Sequence, residues 1–195
     1  MKKASLLILA ALFISMGSLF AQGFHLGVKG GVNMSKLQGG QSFSNGFKLG
    51  LSAGAFAELN FTKYLGLQPE LLFNQTNTRT ATKFDQVYQI SGYSDRNVYL
   101  NYLSIPILIS FKPIPLLSIL VGPQFSIKMS DNIGTSTVNA FKSGDFSVVG
   151  GAQINLGGFK AGARYLIGLS NLNDINNNYK WQSQTIQLYI GFRII

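Results

Sequence analysis

Gln184-Thr185-Ile186-Gln187-Leu188-Tyr189-Ile190-Gly191-Phe192-Arg193-Ile194-Ile195 decides the fold. Ile186, Leu188, Ile190, Phe192 and Ile194 form one apolar row, and Gln187, Tyr189, Gly191 and Arg193 fill the alternate positions. Side chains alternate faces along a β-strand, so this stretch reads as one strand with an oily face and a wet face. Its length is that of a tilted strand crossing a bilayer, roughly 9–11 residues. It also ends the sequence, and a barrel that pairs its last strand with its first places such a strand there.

The same alternation recurs upstream. Strands are expected over Phe24–Met34, Lys48–Phe61, Leu65–Asn74, Tyr99–Phe111, Leu116–Met129, Phe146–Leu156 and Phe159–Leu169. With the terminal strand these make eight. Thr62-Lys63-Tyr64, Lys112-Pro113-Ile114-Pro115 and Gly157-Gly158 are short turns, the glycine pair supplying the positive φ values of a two-residue hairpin. Ser35–Phe47, Gln75–Val98, Ser130–Asp145 and Asn171–Ser183 are long, polar loops. Long and short connections therefore alternate from one end of the chain to the other. Membrane barrels have short periplasmic turns and long outer loops, and a soluble sandwich has no reason to keep this parity. Aromatic residues gather at both ends of the strands. Phe61, Tyr64, Phe111, Phe159 and Phe192 lie toward the short turns; Phe47, Phe73, Tyr99, Phe125, Phe146, Tyr165 and Trp181 lie toward the long loops. These are two interfacial girdles. The expected fold is an all-β, eight-stranded, antiparallel, up-and-down transmembrane barrel.

Composition narrows the setting. Lys2 and Lys3 precede an uncharged apolar run, Ala4 to Ser15, and Ala21 offers a cleavage site, with Leu19 larger than the usual residue three before the cut. Residues 1–21 are thus expected to be a cleavable signal peptide and 22–195 the barrel domain. The chain has no cysteine, which excludes a disulfide scaffold, a thiolate zinc site and a cysteine nucleophile. Beyond the signal no apolar run reaches the length of a membrane helix, so a membrane crossing is made by strands. The formal net charge is +9, but lysines and arginines are spread singly. That pattern disfavours nucleic-acid binding and suits a lumen and rim facing lipopolysaccharide or periplasm.

With the strands placed, the chain resembles the PorT-like outer-membrane β-barrel proteins of Bacteroidota. The residues that carry the resemblance are Gly27-Val28-Lys29-Gly30-Gly31-Val32-Asn33, Leu67-Gln68-Pro69-Glu70-Leu71-Leu72-Phe73 and Tyr102-Leu103-Ser104-Ile105-Pro106-Ile107-Leu108. Val121-Gly122-Pro123-Gln124 and Ala163-Arg164-Tyr165-Leu166-Ile167-Gly168-Leu169-Ser170 add to it. The resemblance spans the mature chain and implies an outer-membrane location and handling by the barrel-insertion machinery. It does not imply a role in secretion or gliding. Ile195 departs from the pattern, since outer-membrane barrels usually end on an aromatic.

An eight-stranded barrel has a lumen just wide enough for side chains. The inward rows carry Lys29, Glu58, Glu70, Arg164 and Arg193, together with Lys48, Lys128 and Lys160. Charges in a low-dielectric lumen must be paired, so the five named first are expected to form an ionic network that plugs it, with Glu58 and Glu70 satisfied by Arg164, Arg193 or Lys29. The alternative is a narrow pore or cleft for small anions, because inward bases outnumber inward acids and inward glycines such as Gly27, Gly54 and Gly162 leave room. A third reading, a soluble lipocalin-like carrier, needs an apolar lumen. Acyl hydrolysis needs a serine with a histidine base, and the single histidine, His25, falls at the periplasmic end with no serine in a nucleophile motif. Asp174, among asparagines, is poor calcium ligation. Neither an enzyme nor a metal or cofactor is expected. Pro69, Pro106 and Pro123 fall within strands and are expected to mark bulges or kinks. The role is expected to be structural or surface-binding through the long loops, in contact with outer-membrane lipid and lipopolysaccharide.

Overall fold

The computed structural model describes residues 23–38, 47–79, 97–131, 144–170 and 182–195. Eight strands make up almost all of them: β1 Phe24–Gln38, β2 Lys48–Asn60, β3 Leu65–Arg79, β4 Asn97–Ile114, β5 Leu117–Asp131, β6 Gly144–Leu156, β7 Phe159–Gly168 and β8 Gln182–Arg193. Each pairs antiparallel with the next, and β8 pairs with β1 from Gly27↔Arg193 to Gln38↔Gln182, closing the barrel. The signal segment and residues 39–46, 80–96, 132–143 and 171–181 of the four long loops, with Trp181 and Asp174 among them, lie outside the described residues.

Alternation sets the inside and the outside. Leu49 and Leu51 are 67% and 62% exposed, whereas Lys29 is 6% and Glu70 4% exposed. This inverts a soluble protein: the solvent for the outer face is hydrocarbon, and closing the sheet leaves no backbone edge for lipid to meet. The aromatics of the two girdles follow the same rule, with Phe61, Tyr64, Phe111, Phe159 and Phe192 exposed at one end and Phe47, Phe73, Tyr99, Phe125 and Tyr165 at the other.

Several strands run further than the apolar pattern predicts. β1 continues through Gln38, β3 through Arg79 and β5 through Asp131, while β4 begins at Asn97. Backbone pairing does not need apolar side chains, so the ladder extends past the oily band, as in Ser35↔Thr185 and Thr78↔Val98. The alternating hydrophobic row marks the part of a strand in lipid, not the whole strand.

The turn end also differs in detail. β4 runs on through Ile114, with a register shift between Phe111 and Ile114, so the reversal narrows to Pro115-Leu116. At Gly157-Gly158 only Gly157 takes a positive φ, +62°, the one required at the first position of a II′ rather than a I′ turn. Between β2 and β3, Thr62 Oγ1 accepts from the Tyr64 and Leu65 amides at 3.1 and 2.9 Å. None of the three intrastrand prolines shifts the register. Pairing simply lapses beside Pro69, Pro106 and Pro123 and resumes in phase, because a missing N–H removes one ladder bond without adding a residue. The irregularities fall instead at Asn101/Tyr102 and Phe111/Ile114.

Candidate functional site in the barrel lumen

The inward rows meet in layers. In the middle layer Glu70 of β3 accepts from four donors. Arg164 of β7 approaches as a fork, Nη1 to Oε2 at 2.7 Å and Nη2 to Oε1 at 2.5 Å. Lys29 of β1 adds Nζ to Oε2 at 2.9 Å, and Gln68 adds Nε2 to Oε1 at 2.7 Å. A carboxylate offers roughly four acceptor sites, so Glu70 is saturated. Its two cations leave one positive charge uncompensated, and the Tyr189 ring of β8 takes it up. Lys29 Nζ lies 3.8 Å and Arg164 Cζ 4.5 Å from the ring centroid. A desolvated cation–π contact is worth about 2 kcal/mol. The Tyr189 hydroxyl donates to Gln153 Oε1 at 3.0 Å.

Glycines make this layer fit. A Cβ on Gly162 would stand 2.5 Å from the Tyr189 ring, and one on Gly27 would stand 2.3 Å from Phe56 Cζ. The space the sequence leaves open at these glycines is filled by those two rings, so it does not contribute to a passage. The other wall is apolar, with Leu108, Leu120, Val149 and Leu166 packed together.

Toward the short turns, Glu58 of β2 pairs with Lys160 of β7 at 2.7 Å rather than with Arg164, Arg193 or Lys29. Lys160 also donates to Asn155 Oδ1 at 3.1 Å. Arg193 stands apart from the middle layer. Arg164 pairs across from Gln187, six residues before Arg193 on β8, a separation of about 20 Å at roughly 3.3 Å per residue. Arg193 Nη2 donates to the Gly157 carbonyl at 3.1 Å at the rim. Facing the same space did not mean sharing a layer, because strand position fixes height in the barrel. His25 sits opposite Glu58 in the β1–β2 register.

The middle layer separates two mouths. The one at the short turns holds a cavity of about 400 Å³ lined by Glu58, Lys112, Pro115, Leu116, Asn155, Gly157, Lys160 and Arg193. Beyond the middle layer, toward the far end, a cavity of about 30 Å³ is walled largely by amides and hydroxyls, with Asp145 as its one charged group. There Gln187 Nε2 donates to Asn33 Oδ1 at 2.9 Å and to Ser52 Oγ at 3.0 Å, and Ser35 and Thr185 share a hydrogen bond of 2.9 Å.

A family model described as outer membrane protein beta-barrel domain matches residues 20–174. The chain belongs to that family. It is an outer-membrane barrel, and its fold recurs in solved structures of low sequence identity. Neisserial surface protein A is 13% identical, with a TM-score of 0.58, and the alignment covers 88% of this chain and 99% of that one. Ail, the attachment invasion locus protein of Yersinia pestis, solved with the heparin analogue sucrose octasulfate, is 14% identical, with a TM-score of 0.53 and coverage of 88% and 99%. No curated protein sequence matches the chain significantly.

In this outer-membrane barrel, sequence reasoning passed over Tyr189, Gln68 and Gln153 as members of the central layer. Period-two alternation placed all three inside, but nothing in the sequence gives the heights at which strands 120 residues apart meet. Lys160 was placed inward without its partner for the same reason.

Proposed function

We propose that this protein is a non-enzymatic outer-membrane scaffold whose closed lumen rigidifies the barrel, while the segments joining β1 to β2, β3 to β4, β5 to β6 and β7 to β8 bind at the cell surface. The observation that carries this reading is the central layer. Lys29 and Arg164 saturate Glu70, all three side chains are 2% exposed or less, and the Tyr189 and Phe56 rings fill the space beside them. Among the described residues the lumen holds no nucleophile–base pair. Within the family, a PorT-like assignment is supported by the first, third and fourth strand sequences. Residues 1–21 act as the export signal, the mature domain begins at residue 22, and assembly proceeds through the insertion machinery. The exposed apolar band contacts lipid, and the basic rim suits lipopolysaccharide.

A second reading, a narrow anion-preferring channel, is favoured by the turn-side mouth, where Lys112, Lys160 and Arg193 face one carboxylate. Single-channel recording of the refolded mature protein in planar bilayers separates the two. Silent insertion of a barrel that shows heat-modifiable gel migration is the expected result. Discrete anion-selective steps, altered by Arg164→Ala, would overturn the closed lumen.

A further inference from the structure

The cavity at the short-turn mouth carries the larger excess of positive charge, with Lys112, Lys160 and Arg193 facing Glu58. Lys160 is committed to Glu58 at 2.7 Å, with both side chains 5% exposed or less. Lys112 and Arg193 have only neutral direct acceptors among the described residues, Asn60 Oδ1 at 2.6 Å and the Gly157 carbonyl at 3.1 Å. They stand on β4 and β8, which are four places apart in a ring of eight strands and so on opposite walls, yet both line this one cavity. Its volume, about 400 Å³, is within the usual range for small-ligand sites, roughly 300–1,000 Å³. Pro115-Leu116 and Gly157 hold the rim on short connections, so the two cations are carried by fixed backbone.

We propose that this mouth binds a phosphoryl group, with Arg193 and Lys112 closing on its oxygens from opposite walls above a floor made by the Lys160–Glu58 pair. Two uncompensated cations match a dianion. A phosphate also presents oxygens in several directions, so donors on opposite walls can both reach it, whereas a carboxylate offers two oxygens on one side. The arginine fork suits such an oxyanion better than it suits chloride. The phosphoryl group can belong to a soluble periplasmic phosphate or to a lipid headgroup at the inner leaflet, whose level the short turns share.

The test is calorimetric titration of inorganic phosphate into the folded full barrel in an uncharged detergent. Saturable binding is expected in the unaltered protein, resistant to chloride at equal ionic strength. A Lys112→Gln/Arg193→Gln double variant should lose affinity at least tenfold, and Asp145→Asn at the far mouth should leave it unchanged. Should the double variant fail to fold, Arg193→Lys serves instead: it keeps the charge but loses the fork, and a several-fold loss is expected. Native mass spectrometry separates the sources. A phospholipid retained by the unaltered barrel and missing from the variant assigns the headgroup; phosphate binding without retained lipid assigns the soluble ion. Neither phosphate binding nor retained lipid, or binding equal in all variants, would overturn the site. Binding in detergent does not depend on whether the lumen conducts, so its failure leaves the closed-lumen reading standing, and a conducting barrel leaves this site standing.

Discussion

The two mouths of one lumen are made from different chemistry. At the short turns, three bases and one carboxylate line an open cavity of about 400 Å³. On the other side of the central layer, amides and hydroxyls enclose about 30 Å³. The difference follows from water. Where the cavity is open, Lys112 and Arg193 keep part of their hydration and need no carboxylate partner. Where it is tight, a charge would lose its hydration, so neutral groups that both donate and accept close most of the space against each other, and the one carboxylate there, Asp145, is held by the Ser147 and Ser183 hydroxyls. The central layer is the intermediate case: its charges are fully buried, and every one of them has a partner.

That comparison predicts an order of sensitivities, all read by urea unfolding of the barrel in lipid vesicles. The largest effect is expected for Glu70→Gln, which strands two buried cations and should cost about 3–5 kcal/mol. Adding Lys29→Met should restore part of it, because one stranded charge is then removed. If Glu70→Gln were no worse than Asp145→Asn, the central layer would not be the structural keystone argued above. Next comes Gly162→Ala, whose Cβ meets the Tyr189 ring at 2.5 Å; overpacking there should cost about 1–3 kcal/mol. Tyr189→Phe keeps the ring over both cations and removes the hydroxyl that bonds Gln153 and meets Arg164, so about 1–2 kcal/mol is expected. Tyr189→Leu removes the ring as well and should add about 2 kcal/mol. The smallest effect, under about 1 kcal/mol, belongs to Thr185→Val in the hydroxyl pair with Ser35. A Thr185→Val loss as large as that of Gly162→Ala would erase the contrast between the ends.

Much of the fold was legible because a two-residue period carries its own meaning. Ile186, Leu188 and Ile190 alternate with Gln187, Tyr189 and Gly191 in the sequence, and the two rows take opposite faces in the barrel. Strand lengths were less legible: the polar continuations of β1, β3 and β5 carry no apolar row to betray them. The lumen was readable as a set of inward residues but not as a set of partners. Partnership depends on register between distant strands, as with Glu70 and Arg164 or Glu58 and Lys160, and on glycines whose role appears only once a ring lies across them. The prolines misled for a related reason. A lost donor suggested a bulge, but a ladder can skip a bond and stay in phase.

The closure of β1 against β8 sets an order of events for folding. Lys29 comes from the first strand, Glu70 from the third, Arg164 from the seventh and Tyr189 from the eighth. On an open, unfinished sheet these side chains lie on a wetted face, and Glu70 and Arg164 are separated by 94 positions of chain. Contacts so distant in sequence form late, since the intervening chain must be ordered first. The charges are therefore dehydrated only when the last strand meets the first. The central cluster then acts as a latch, set by completion of the cylinder, and reopening the seam between β1 and β8 requires that it be undone.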